Sequence, residues 1–217
     1  SNPPRTLITV RVEDSVVAAF GLKNEGVKSE DVAILNMANR WQLGGVSANP
    51  FCRGSQEEAL FRSSNLRKSL SSDLLHKQFA EMRTSENLSQ DDKPLHHIPY
   101  FGAIVSNCVT FLQDSKSECF TVISAAAPDM RPGSDEYDRL QNCAYEEVMR
   151  NKIRAIFEGA LSLGVKKLVL GAFGCGCFAN DPKQVATLFK ELLDQEYKGR
   201  FSKIVFAIKG SQENYVY

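Results

Sequence analysis

From Tyr145 to Ile208 the chain switches repeatedly between two hydrophobic periods, and this stretch constrains the fold most. Tyr145, Val148, Met149, Ile153, Ile156, Phe157, Ala160 and Leu161 recur every 3.6 residues, and Gly164 stands at the helix end. Lys167 to Leu170 reads as a short buried strand. Asp181 caps the next helix, Pro182 fits its first turn, and Gln184 completes a capping-box pattern. That helix buries Val185, Ala186, Leu188, Phe189, Leu192 and Leu193, and Phe201 to Ile208 forms the last strand. Strands alternating with helices predict a layered α/β/α domain, with any ligand beyond the carboxyl ends of the strands.

The first half repeats the theme less clearly. Leu7 to Val12 is a short β-type run, followed by Val16, Val17 and Phe20 at helical spacing. Asp31 to Asn36 is an apolar strand ending in polar residues, and a glycine-containing loop runs from it to Ser55. Gln56 to about Leu75 is predicted helical, and Ile98 to Phe111 and Cys119 to Ala125 read as two strands. Thr84 to Pro94 reads as a surface loop within one domain, residues 1–217, without linker or repeat.

Charge narrows the function classes. Lys and Arg number 26, as do Asp and Glu. A surface that neutralises a DNA or RNA backbone needs a surplus of cations, so neither is expected as a partner. No apolar run is long enough to span a bilayer, and the first residues carry no apolar signal-peptide core. The start at Ser1 rather than Met reads as trimming. The six cysteines, at 52, 108, 119, 143, 175 and 177, do not form a dense disulfide framework. Cys108 and Cys119 lie in apolar runs, where a free thiol behaves as a small hydrophobe. The expectation is a reducing, intracellular compartment (cytoplasm or nucleus), with no structural zinc and a monomeric chain.

Three loop segments carry candidate chemistry. The first runs from Asn36 through Asn39, Trp41 and Gly44-Gly45-Val46; the second, continuous with it, ends in Ser55-Gln56-Glu57-Glu58 and opens a helix. The third is Gly171-Ala-Phe-Gly174-Cys175-Gly176-Cys177-Phe178. Its glycines suit close approach of backbone N–H groups to phosphate, or simply a sharp strand-to-helix turn; spacing alone leaves both open. Ser55-x-x-Glu58 is itself a capping box, so local sequence makes Glu58 a cap, and the helix dipole favours its ionised form. Glu57 and Glu58 point about 100° apart on a helix and cannot share one job. His96-His97 reads as partly exposed structure, Cys175 as a small loop thiol, and Asp129 as a turn residue. Phe173 and Phe178 are core anchors or ligand-facing rings, and Trp41 covers a site or packs its loop.

Taken together, these residues resemble the microbial-type poly(ADP-ribose) glycohydrolase family, a branch of the macrodomains. The resemblance covers nearly the whole chain. It is carried by Asn36-Met-Ala-Asn39, Leu43-Gly44-Gly45, Gln56-Glu57-Glu58-Ala-Leu-Phe-Arg62-Ser63-Ser64, Ala127-Pro128-Asp129, and Gly171 through Asp181-Pro182. Two departures stand out: Leu43 replaces the first of three glycines, and ten residues separate Gly45 from Gln56, more than the usual spacer.

The resemblance implies a macrodomain-like fold with a mixed, mostly parallel central sheet. It makes Glu58 the catalytic acid and Glu57 the carboxylate that holds the ribose. Gly44, Gly45 and Val46 would approach the diphosphate and distal ribose, and Gly174, Cys175, Gly176 and Cys177 would form the second diphosphate loop. Phe178 would lie against the distal ribose and Asn39 beside the cleaved bond, with Gln56 among the ligand-binding residues. The implied activity is glycosidic hydrolysis of ADP-ribose units in poly(ADP-ribose) or ADP-ribosylated proteins, with no cofactor and no metal. Two alternatives are a module that binds ADP-ribose without cleaving it and a hydrolase of single ADP-ribose groups, for example on arginine. Balanced charge predicts a weaker salt dependence than a true polyanion binder shows.

Overall fold

The computed structural model describes residues 5–44, 54–73, 75, 77–78, 80–81, 98–140 and 144–209. Six strands form one sheet: β1 (Leu7–Arg11), β2 (Val32–Met37), β3 (Ile104–Gln113), β4 (Lys116–Ala125), β5 (Lys167–Leu170) and β6 (Lys203–Ala207). Their order is β1-β6-β5-β2-β4-β3. All pairings are parallel except β3 with β4. The mixed, mostly parallel sheet of the α/β/α expectation is therefore present.

Alternation along β2 explains the layering. Ala33 and Leu35 face one side and Val32 and Ile34 the other, and all four are buried. On the first side pack α5 (Tyr145–Ser162) and α6 (Pro182–Gln195), through Met149, Ile153, Phe157, Leu188, Phe189 and Leu192. On the second pack α1 (Ser15–Asn24), α2 (Gln56–Ser63) and α3 (Leu66–Leu70), through Phe20, Leu22, Leu60, Leu66 and Leu70. Asp181 caps α6 by accepting from the Gln184 N–H at 2.9 Å, with Pro182 in the first turn. Gly164 follows α5 at φ +71°, in the left-handed region that favours glycine.

Several boundaries differ from the sequence reading. Asp31 belongs to a short 3₁₀ turn, so β2 starts at Val32. The helix from Gln56 breaks at Ser64, whose backbone bridges to Phe111. β3 starts at Ile104 rather than Ile98, because 98–103 form a turn in which Gly102 N–H reaches Pro99 O. A short α4 (Asp135–Leu140), which the sequence reading did not include, follows β4.

The expectation of free thiols is corrected. Cys108 and Cys119 form a disulfide between β3 and β4, with Cα atoms 4.9 Å apart. The pairing slips between Ser106 and Val109, and Cys108 lies at φ 54°, so a β-bulge turns it toward its partner strand. Cys177 is disulfide-bonded as well. The compartment reading rested on free thiols and loses that basis. Among the described residues no helix is long and apolar enough to cross a membrane.

Candidate active site

Because five strands run parallel, their carboxyl ends meet on one edge of the molecule, and a cavity of about 460 Å³ opens there. Its wall is built from the ends of the five parallel strands and the segments that follow them. Glu13, Asp14 and Ser15 follow β1; Met37 ends β2, and Ala38 and Asn39 follow it; Ala127 and Arg131 follow β4. Ala172 to Phe178, apart from Cys175, follow β5, and Ala207 at the end of β6 closes the ring with Ile208 and Lys209. The start of α2 adds Gly54 to Glu57, with Ala59 and Arg62 one turn further on.

Gln56 docks α2 onto the sheet. Its Oε1 accepts from the Met37 N–H at 3.0 Å, and its Nε2 donates to Leu35 O at 2.6 Å and to Ser15 Oγ at 3.2 Å. The amide thus bonds β2 at the two groups a neighbouring strand would use. The residue expected to bind ligand uses its side-chain amide to hold α2 on the sheet.

That docking buries Glu57. Its side chain is 1% exposed, yet it lines the cavity. Glu57 Oε2 accepts from the Asn39 N–H at 2.9 Å, and Oε1 from Asn36 Nδ2 at 3.4 Å. The Gly44 N–H donates to the same carboxylate. Burial raises the Glu57 pKa from 4.5 to about 7; these three donors and the nearby Arg67 guanidinium oppose the rise. Asn36 is fully buried and also donates to Ser124 Oγ at 3.0 Å. Gly44 stands at φ +85°, and a Cβ there would come within 2.9 Å of Arg67 Nη2. A side chain at that position would push against the Arg67 guanidinium, which lies over the Phe61 ring.

Glu58 faces another way. Its N–H donates to Ser55 Oγ at 3.3 Å, the cap read from sequence. Its carboxylate accepts from the Gly54 N–H at 2.9 Å and lies 3.5 Å from Arg62 Nη1. Gly54 and Arg62 line the cavity and Glu58 does not, which places its carboxylate at the rim.

The glycines of the loop differ in what the backbone demands of them. Gly174 has φ +76°, and a Cβ there would lie 2.5 Å from both Ala127 Cβ and Asn180 Nδ2, so fold and turn require this glycine. Gly176 meets nothing within 4 Å and has no such backbone demand. Gly176 and Phe178 line the cavity, and their N–H groups donate to no partner among the described residues. Unused N–H groups on residues that line an open cavity suit an anion. Asn180, which the sequence reading passed over, holds the loop. It is 3% exposed; its Nδ2 donates to Pro128 O, Gly174 O and Phe178 O, and its Oδ1 accepts from Tyr145 Oη.

The other candidates separate. Cys177 and Phe178 line the cavity; Cys175 does not and packs against the core beneath α5 and α6. Burial, then the neighbouring Asp181 charge, pushes the Cys175 thiol up to about 12, which keeps it protonated and a poor nucleophile. Phe173 is fully buried core. Asn39 lines the cavity while its Oδ1 accepts from the Trp41 and Gln42 N–H groups. Trp41 packs under the Arg40 guanidinium, 4.5 Å from the ring centroid, and does not line the cavity. Asp129 forms the expected turn, accepting from the Arg131 N–H at 3.1 Å. Gly45, Val46, Cys52 and the three histidines lie outside the described residues. Glu13, Asp14, Ser15, Arg131 and Lys209 were absent from the sequence-derived site, although each follows the carboxyl end of a strand.

Comparison with known proteins places this geometry in a family. The catalytic domain of microbial-type PARG matches residues 1–100. No curated protein matches the chain. Among solved structures, poly(ADP-ribose) glycohydrolase from Deinococcus radiodurans in complex with ADP-ribose is 29% identical, with a TM-score of 0.77, covering 96% of this chain and 80% of that one. The enzyme from Thermomonospora curvata is 31% identical with a TM-score of 0.72, covering 95% of this chain and 72% of that one. The same bacterium's enzyme bound to the inhibitor ADP-HPD is 30% identical with a TM-score of 0.74, covering 95% and 74%. Shared sequence over nearly the whole chain, together with the shared fold, shows that the chain belongs to the microbial-type poly(ADP-ribose) glycohydrolase family.

Proposed function

We propose that this protein hydrolyses the glycosidic bond of ADP-ribose units, in poly(ADP-ribose) or on modified proteins. One observation carries the reading: a buried, hydrogen-bonded carboxylate, Glu57, shares a cavity with a loop whose Gly176 and Phe178 N–H groups are unused. That pairing suits a ligand with a diphosphate at one end and a ribose at the other. The diphosphate lies on the Gly174–Cys177 backbone, and Phe178 packs against the distal ribose.

Two carboxylates divide the work. Glu57 is fixed by Asn39, Asn36 and Gly44 and holds ribose hydroxyls. Glu58, at the rim, exchanges its Gly54 contact for the substrate and protonates the departing oxygen. Positive charge develops at the anomeric carbon, and the ligand's own diphosphate stabilises it. Water, deprotonated by the Glu58 carboxylate, completes hydrolysis. General acid–base help of this kind contributes roughly 10²–10⁴ in rate. A second reading makes Glu57 the acid, because it lines the cavity and its pKa near 7 suits proton transfer at neutral pH.

Hydrolysis of poly(ADP-ribose) and of several mono-ADP-ribosylated proteins, measured side by side, tests the function. Release of ADP-ribose from any of them supports it. Tight ADP-ribose binding without turnover on any substrate would make this a binding module. Glu58→Gln lowering kcat while Glu57→Gln mainly raises KM supports the division of roles; the reverse assigns the acid to Glu57.

A further inference from the structure

Arg131 lies on the cavity wall beside Phe178, and its guanidinium is held rather than loose. Arg131 Nε donates to Asp129 Oδ1 at 2.8 Å, and Nη2 donates to Asp129 Oδ2. Asp129 is itself fixed: its N–H donates to Glu136 Oε2 at 2.7 Å, and its carbonyl accepts from Ser134 Oγ at 2.6 Å. The Met130 N–H donates to Phe178 O at 2.8 Å, tying this turn to the end of the glycine loop. Arg131 Cζ stands 5.8 Å from the Phe178 ring centroid. Nη1 donates to no described residue. One edge of the guanidinium is therefore occupied by Asp129, while Nη1, on a residue that lines the cavity, keeps its donors.

We propose that Arg131 binds a phosphate of the leaving part of the substrate, and so selects poly(ADP-ribose) over single ADP-ribose groups on protein. The inference rests on the glycohydrolase reading above. In that reading the retained diphosphate lies on Gly174–Cys177, and Phe178, next along the chain, adjoins the ribose whose bond breaks. Arg131 flanks Phe178, at the ribose end of the ligand. What extends past that ribose is the leaving part. In the polymer it is another ADP-ribose unit with its own diphosphate; on a modified protein it is an amino-acid side chain without one. A positioned guanidinium at that point discriminates between them.

The test uses two ligands: ADP-ribose, and a dimer of two glycosidically joined ADP-ribose units. Their affinities are measured by calorimetry in Glu58→Gln protein, to suppress turnover, with and without Arg131→Gln. Loss of one charge-assisted contact is expected to weaken dimer binding roughly tenfold, with ADP-ribose affinity held within about twofold. Arg131→Lys is expected to restore only part of the loss, because a point charge replaces the fork. On the polymer, Arg131→Gln in otherwise wild-type protein should raise KM and leave kcat intact. Equal weakening of both ligands, or of neither, overturns the proposal. Failure of unsubstituted protein to bind ADP-ribose at all overturns the glycohydrolase reading itself.

Discussion

The Glu57 carboxylate accepts a hydrogen bond from the Asn39 backbone N–H at 2.9 Å. The contact joins the first turn of α2 to the segment just past β2, and a carboxylate with 1% exposure remains at the wall of a cavity. Desolvation and hydrogen bonding oppose each other there, and desolvation wins: the pKa stands at about 7.

A pH-dependent stability follows from that balance. The folded-state pKa of Glu57 is raised above 4.5, so the folded protein binds the extra proton between about pH 4.5 and 7. Its contribution is fully favourable below that window and is lost as pH rises through it. The rise from 4.5 to about 7 sets a ceiling of about 3 kcal/mol. Glu57→Gln removes the titration. Urea unfolding from pH 4.5 to 8 should show the stability of the variant improving relative to wild type as pH rises, by less than that ceiling. A gap that does not change with pH would mean Glu57 does not titrate in this window.

The two loop glycines should respond differently. Gly174→Ala places a methyl group 2.5 Å from Ala127 Cβ and Asn180 Nδ2 at φ +76°. Backbone strain alone is worth roughly 1–2 kcal/mol, and overpacking adds to it, so thermal unfolding should move down by several degrees. Gly176→Ala meets no protein atom within 4 Å. It should leave the melting temperature nearly unchanged and weaken ADP-ribose binding, because its methyl group enters the cavity. Unaltered ligand affinity in Gly176→Ala would argue against the loop as the anion cradle.

How far the sequence foretold this site depends on which contacts made it. The α6 periodicity and the Asp181 cap are local, and their element appears where the spacing placed it. The role of Gln56 is tertiary: only once α2 lies against β2 does its amide meet Met37 N–H and Leu35 O. Glu57 and Glu58 are adjacent in sequence: the capping box gave Glu58 its place at the helix start, but the burial of Glu57 depends on tertiary contacts with Asn36 and Asn39 that no local rule supplies. The turn at Asp129 was legible, but the role of Arg131 was not, because it depends on the Asp129 side chain holding its guanidinium. Asn180 was hidden by its proximity to the more conspicuous Asp181, although its buried amide bonds three carbonyls. Cys108 and Cys119 looked like members of two apolar runs because spacing does not disclose a β-bulge.

The disulfide between β3 and β4 gives a separate prediction. Cys108 and Cys119 are 11 residues apart, so the closed loop is short and its entropic contribution is about 2–3 kcal/mol at most. A Cys108→Ser, Cys119→Ser double variant should unfold at lower denaturant concentration than wild type in the absence of reductant. In a dithiol reductant able to open the bond, the difference should shrink. Since β3 is the outer strand, far in sheet order from β5 and its glycine loop, ADP-ribose affinity should persist. Equal stability of the two proteins without reductant would show that the bond contributes nothing.

The central claim is that the Glu58 carboxylate, in the first turn of α2, transfers a proton to the leaving oxygen. Single-turnover cleavage of poly(ADP-ribose) by wild type and Glu58→Gln at neutral pH tests it most directly, since glutamine is compatible with the capping position. The account expects Glu58→Gln to melt near the wild-type temperature and bind ADP-ribose, with a chemical step slower by roughly 10²–10⁴. Cleavage at the wild-type rate by the folded variant would contradict it.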